Sequence, residues 1–250
     1  MYKKGLFLIM FLSLCSCSSL HKEESGLETY NRAMFDFNYK LDKNVMKPIA
    51  LGYKKITNKF VRQRVSSFFN NLSEPVYFVN NLLQGEVKNS GFSAGRFVIN
   101  STLGLLGTFD VAAGWGLDRK KSTFDATLAK YCVPDGPFVV LPLAGPSTPR
   151  YVVGWAADTY MSPLYWSLIN SDEEKAQTIV WSAAALKYVN LRAENMELLD
   201  NIENGSVDFY AAMKSAFMQS RQRYVSLCSQ KEEASDVPSY DFDFEEGFDD

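Results

Sequence analysis

The chain has 250 residues, a formal net charge of −3, 46% hydrophobic and 22% charged side chains. That is the composition of a globular chain long enough for one large domain or two small ones, not of a collagenous or wholly disordered one. The charge is uneven: residues 229–250 hold nine acids against Lys231 alone. Without that stretch and the first seventeen residues, 23 basic side chains face 20 acidic ones.

The N-terminus, MYKKGLFLIMFLSLCSCSSL, places Lys3 and Lys4 before an apolar run from Gly5 to Leu14. About ten apolar residues are too few to cross a bilayer and suit the core of a signal peptide. Leu14-Cys15-Ser16-Cys17 has the order of a bacterial lipobox, with Cys17 as the acylated first residue of the mature chain. Cys15 fits worse, because Leu14 is bulky where a small residue is required. Ser18 and Ser19 follow in place of the aspartate that retains such proteins in the inner membrane, which favours the outer membrane. Residues 1–16 therefore read as signal peptide and 17–27 as lipidated N-terminus and polar linker. Residues 28–228 read as a helical domain and 229–250 as an acidic disordered tail.

From Glu28 onward Tyr30, Met34, Phe37 and Leu41 recur at helical spacing, and Pro48 is expected to end or kink that helix. Val61–Leu83 repeats the pattern around Pro75, with Gly85 just beyond its end. Asn89–Leu106 continues it, and small residues from Ser90 to Gly95 permit close backbone approach. GLLGTFDVAAGWG (104–116) is rich in glycine, with Asp110 its only charge. YCVPDGPFVVLPLAGPSTPR (131–150) is apolar but carries five prolines, which fit neither a central strand nor a helix. It reads either as a rigid wall between lipid and a polar cavity or as a loop packed across the core. Further helices are expected from Asp172, over Ile179–Leu199 and over Ser206–Leu227, the last capped by Ser206. Strand alternation is nearly absent, so the fold class is mostly α. Cys132 and Cys228 are the cysteines of the mature body. An oxidising compartment allows them to pair, but nothing in the sequence places them near each other, and two buried free thiols fit at least as well.

Chemistry is hard to find. His21 is the only histidine and lies in the linker, which excludes a Ser-His-Asp arrangement or a histidine metal site. No phosphate-binding glycine loop and no basic stripe for nucleic acid stand out, and no cofactor is expected. Glu74, Asp110, Asp125 and Asp158 sit in apolar surroundings. Each reads more readily as a helix cap or a paired structural charge than as a catalytic acid.

Five words carry a resemblance: NRAMFDFN (31–38), NNLSEPVYFVNNLLQG (70–85), RFVINSTLGLLGTFDVA (96–112), TFDATLAKYCVPDGPFVVLPLAGPSTPR (123–150), and Asp158 with Pro163-Leu164. In this order they resemble the VacJ family, also called MlaA. The resemblance implies a non-enzymatic lipoprotein of the Gram-negative outer membrane. Its fold would be a single ring-like helical domain lying in the inner leaflet around a central amphipathic channel. It would take mislocalised phospholipid from the outer leaflet and pass it to a soluble periplasmic carrier, beside a trimeric porin. Carried onto this sequence, the channel hairpin and its hinge fall at Gly104, Gly107, Asp110, Gly114 and Gly116. Met34, Phe37, Asn38, Arg150 and Asp158 become channel-associated, with Met34–Asn38 expected beside the hairpin. The chain departs from the family in having Cys132 where glycine is common, and Tyr151, Val152 and Trp155 where acids cluster. Two rivals remain: a scaffold that only binds a porin, and a periplasmic lipid hydrolase built on carboxylates.

Overall fold

The computed structural model describes residues 20–169 and 173–229. The lipobox with Cys17, the expected helix start at Asp172, and the acidic tail beyond Ser229 lie outside them. The described chain is helical almost throughout. α1 (Leu20–Leu41) runs through a five-residue π-helical turn, Asp42–Met46, into α2 (Lys47–Ile56). The polar linker expected before Glu28 is thus already helix, since Lys22, Glu23 and Glu24 are good helix formers. Pro48 does not end the helix either. It falls in the first turn of α2, where a missing N–H is tolerated, and the Lys47 N–H reaches back five residues to Asp42 O.

α3 (Lys59–Leu83) continues past Pro75, and a turn at Gly85 with φ +75° returns the chain as α4 (Val87–Thr102). The small residues of α4 do what their size allows. Ser90 and Ser93 are buried, and the Ser90 hydroxyl donates to the backbone carbonyl of Phe78 in α3 at 3.2 Å. α4 ends at Thr102, four residues before the expected limit. α5 (Val111–Gly114) and α6 (Phe124–Lys130) are short.

The proline-rich segment contains a minimal antiparallel hairpin of β1 (Val139–Leu141) and β2 (Gly145–Ser147), with Val140 opposite Pro146. It is therefore partly strand. Its Phe138 and Val140 are buried with Tyr210 against Met34, Phe35 and Phe217, so this part of the segment packs into a core. Pro149 then opens α7 (Pro149–Met161), which is followed by α8 (Pro163–Ile169), α9 (Glu173–Glu194), α10 (Met196–Gly205) and α11 (Phe209–Ser229). Ser206 terminates α10 instead of capping α11. The Asp208 carboxylate takes the Ala211 N–H at the start of α11.

Cys132 and Cys228 form a disulfide that ties the turn after α6 to the end of α11. Cys132 adopts φ +60°, a conformation that favours glycine and costs a cysteine about 1 kcal/mol. The bond spans 96 positions of sequence and restricts the unfolded chain far more than a local link does. Replacing either cysteine with serine should lower unfolding free energy by about 3–4 kcal/mol. Denaturant titration with and without a thiol reductant checks this. The reductant should cost the wild type that amount and the variant nothing further.

Candidate functional site

In the described part of the molecule many of the most buried side chains are charged or amide, and many large apolar ones are exposed. Among its most buried side chains are Glu74, Arg96, Asn80, Asn100, Asp125, Arg150 and Arg221, while all four tryptophans are exposed, Trp181 by 74%. Two buried ionic networks hold the interior. In the first, Arg96 of α4 donates to Glu74 Oε1 (2.7 Å), to the carbonyl of Leu117 (2.5 Å) and to Asp110 Oδ2 (2.7 Å). Arg119 joins through Glu74 Oε1 at 3.2 Å. Burial disfavours the charge on Asp110, but hydrogen bonds from Arg96 and Asn100 outweigh it and hold the carboxyl below its ordinary range. In the second, Arg221 of α11 bridges Asp125 and Asp135. Arg150 donates to Asp125 Oδ1 at 2.9 Å and to the Val133 carbonyl at 2.7 Å.

The glycine segment is wired to the first network. Gly107 has φ +88°, and a β-carbon there would collide with the Asn71 side chain. Gly104 has no positive φ, yet a β-carbon would meet the backbone oxygens of Asn100 and Phe109. The Gly107 N–H donates to Asn100 O (2.8 Å) and the Phe109 N–H to Gly104 O (2.9 Å). Asp110 also accepts from Ala113 N and caps α5. Gly114 and Gly116 have open space beside them, and Gly116 turns the chain with φ +78°. The 104–110 part is thus a closely fitted turn.

The described contacts of Met34–Asn38 are not with the glycine segment expected beside it. They are with the β hairpin. Asn31 donates to Phe138 O (3.0 Å) and accepts from Val140 N (2.8 Å); one heptad on, Asn38 donates to Leu141 O (2.8 Å) and accepts from Leu143 N (2.7 Å). Two asparagines seven residues apart on α1 therefore act as a substitute strand edge for β1. Met34 packs on the core below, and Phe37 is exposed. Beside Asn38 lies a cavity of about 140 Å³ with an apolar side of Phe35, Pro146, Leu199 and Phe209. Its polar side is Tyr39, Asp42, Arg192 and Glu203. Arg192 grips Asp42 with both Nε and Nη2, at 2.8 and 2.9 Å. Sequence reasoning missed Arg192, Arg221 and Asp135. Arg150 was assigned to a channel, but its described contacts are those of the second network.

Asp158 does not meet Arg150 in any described contact. Its Oδ1 accepts from the Phe124 N–H and from Asn80, both at 2.9 Å, so it caps α6 from α7. All four carboxylates singled out from sequence are caps or arginine partners.

Comparison with known proteins follows the same lines. A family model described as MlaA lipoprotein matches residues 24–224. The chain belongs to the MlaA lipoprotein family. The intermembrane phospholipid transport system lipoprotein MlaA of Haemophilus influenzae is 30% identical over 230 residues, covering 86% of this chain and 87% of that one. The protein of the same name from Escherichia coli K12 is 31% identical, covering 82% of each. An uncharacterised Rickettsia felis protein is 36% identical over 199 residues, or 79% of this chain and 76% of that one. A solved structure reported as the structural basis for maintenance of bacterial outer membrane lipid asymmetry superposes with a TM-score of 0.68 at 31% identity. It covers 81% of this chain and 98% of that one.

Two outcomes test this MlaA-family geometry. Gly104→Ala and Gly107→Ala should each destabilise by about 2–4 kcal/mol in thermal or denaturant unfolding, whereas Gly114→Ala should be near neutral. Burial raises the Asp158 carboxyl to about 6, against the hydrogen bonds from Phe124 and Asn80. A folded pKa above the unfolded one makes its contribution full below about pH 4 and lost as pH rises through 6. Asp158→Asn keeps an acceptor for both donors, so it should flatten the stability–pH profile between pH 4 and 7 by about 1–2 kcal/mol.

Proposed function

We propose that this chain is an outer-membrane lipoprotein, anchored through acylated Cys17, that removes mislocalised phospholipid from the outer leaflet. Its helical body lies in the inner leaflet, forms a ring around an amphipathic channel, and passes lipid to a soluble periplasmic carrier beside a trimeric porin. The names of the Haemophilus and Escherichia relatives, as lipoproteins of an intermembrane phospholipid transport system, support that reading.

The observation that carries it is the combination of buried, paired polar side chains with many exposed apolar ones. Charged and amide side chains are paired inside, while Trp115, Trp155, Trp166, Trp181 and many aliphatic residues face outward. Large exposed apolar area on a folded body marks a surface made for lipid or protein. Tryptophan and tyrosine in particular suit the level of lipid headgroups. No described helix is long and apolar enough to cross a membrane, which agrees with a body lying in one leaflet. A polar interior lets a headgroup pass without entering hydrocarbon, where an unpaired charge costs several kcal/mol. The open cleft beside Asn38 has an amphipathic wall of the kind this needs. The hydrolase rival has less support, because the carboxylates it would use are committed to arginines and helix caps.

Native mass spectrometry of detergent-extracted protein should find a triacylated N-terminus at Cys17 and co-purifying phospholipid. Deleting the gene should raise outer-leaflet phospholipid. A wild-type copy should restore asymmetry, and a Cys17→Ala copy should not. Normal asymmetry in the deletion strain would overturn the transport reading. Release of fatty acid by the purified protein would favour the hydrolase.

A further inference from the structure

Between Asp42 and Glu74 the sequence has seven lysines and arginines and no acidic residue. The fold bends this stretch at its middle. α2 ends at Ile56, Thr57 is extended, and Asn58 caps α3 through the Val61 N–H at 2.9 Å. Arg62 braces the bend by donating to Thr57 O at 2.7 Å. At the apex Ile56 is 83% exposed and Phe60 is also exposed, with Lys55 and Lys59 exposed beside them.

A second element meets this elbow. The Phe60 ring lies 6.4 Å from Phe109, and the Arg64 guanidinium sits 5.0 and 4.9 Å from the two rings. The turn that carries Phe109 also presents Leu105 and Leu106. Both are strongly exposed, and both have positive φ, at 50° and 59°. Two consecutive leucines in that conformation cost about 1 kcal/mol each. The fold bears this cost while pointing both side chains away from itself. The Phe60–Phe109 contact joins the elbow to the turn, so the exposed Ile56, Phe60, Leu105 and Leu106 belong to neighbouring segments, with Lys55 and Lys59 beside Ile56 and Phe60 in sequence. Lys54 makes only a weak pair: it reaches Glu197 at 3.3 Å, and that carboxylate is itself almost wholly solvated.

We propose that the elbow and the turn together form a docking surface for anionic phospholipid. Ile56, Phe60, Leu105 and Leu106 enter the boundary between headgroups and acyl chains, and Lys54, Lys55 and Lys59 meet the phosphates around them. Basic side chains flanking exposed apolar ones give binding that depends on anionic lipid and on salt. The acid-free stretch supplies the positive charge, of which Lys47 and Lys54 are shared with Asp200 and Glu197 of α10. The inference rests on the membrane reading above and adds the lipid class and the seat.

The test uses the mature chain carrying Cys17→Ser, so that no acyl chain masks the contact, in flotation with phosphatidylcholine vesicles with or without phosphatidylglycerol. The wild-type body should bind phosphatidylglycerol vesicles roughly tenfold more tightly than neutral ones, and high salt should remove the difference. Lys55→Gln with Lys59→Gln should reduce the preference by about tenfold without changing the circular dichroism. Ile56→Glu should weaken binding to both vesicles. Equal binding of wild type to both would overturn the inference while leaving the membrane reading intact. A phosphatidylglycerol preference that survives the double lysine variant would also overturn it and leave the basic elbow to an acidic protein. No binding to either vesicle, with no lipid on the acylated native protein, would bring down the membrane reading itself.

Discussion

A guanidinium taken out of water must be met by acceptors, and this requirement at Arg96, Arg150 and Arg221 sets the frame of the fold. Arg96 is 1% exposed and spends its three nitrogens on Glu74, Asp110 and the backbone of Leu117. One side chain thereby fixes α3, α4 and the chain beyond α5 relative to one another. Arg221 does the same for α11, through Asp125 on α6 and Asp135 in the proline-rich segment. Such networks are poor sources of net stability compared with apolar packing, but removing one partner is expensive, commonly 3–5 kcal/mol. They therefore specify the arrangement more than they strengthen it. The disulfide supports the same junction, because Cys132 lies between Asp125 and Asp135 in sequence and Cys228 lies two turns beyond Arg221.

Apolar packing plays a smaller part because few large apolar side chains are fully buried and many are exposed. The buried apolar clusters are small: Ala50, Ala193 and Met196 in one, Phe138, Val140 and Tyr210 in the other. This distribution explains why helical periodicity was legible while its meaning was not. Tyr30 and Phe37 fall at spacings that normally mark a core stripe, yet they are exposed. Periodicity reports that a helix has two faces. It does not report which face meets the interior.

The helices, the near absence of strands and the structural role of the carboxylates could be read from residue types alone. Partner choice could not. Nothing local in NRAMFDFN says that Asn31 and Asn38 will serve a strand more than a hundred residues away. The heptad spacing of the two amides was the available clue, since it puts them on one face of α1 about two turns apart. The acid-free run between Asp42 and Glu74 was equally visible, but its effect depends on a bend at Thr57 and a neighbour at Phe109 that only the fold supplies. Cys132 was ambiguous for a related reason. Its positive φ, which makes cysteine a costly choice there, is a property of the folded backbone.

The glycine segment shows how the same two constraints act together. Asn100 accepts the Gly107 N–H through its backbone and donates to Asp110 through its side chain, at 2.8 and 2.9 Å. The turn is thus held from below by the buried network, while its upper side carries Leu105 and Leu106 into the surroundings. Glycine at 104 and 107 serves close approach: a β-carbon at either position would strike Asn100 or Asn71. Freedom to hinge is a weaker account of these glycines, since the backbone on both sides of them is hydrogen-bonded. A movement of this turn would have to break the Asn100–Asp110 bond and would disturb Arg96 with it. The turn and the ion network therefore form one hydrogen-bonded unit, in which Asn71, Asn100 and Asp110 constrain the backbone as much as the glycines do.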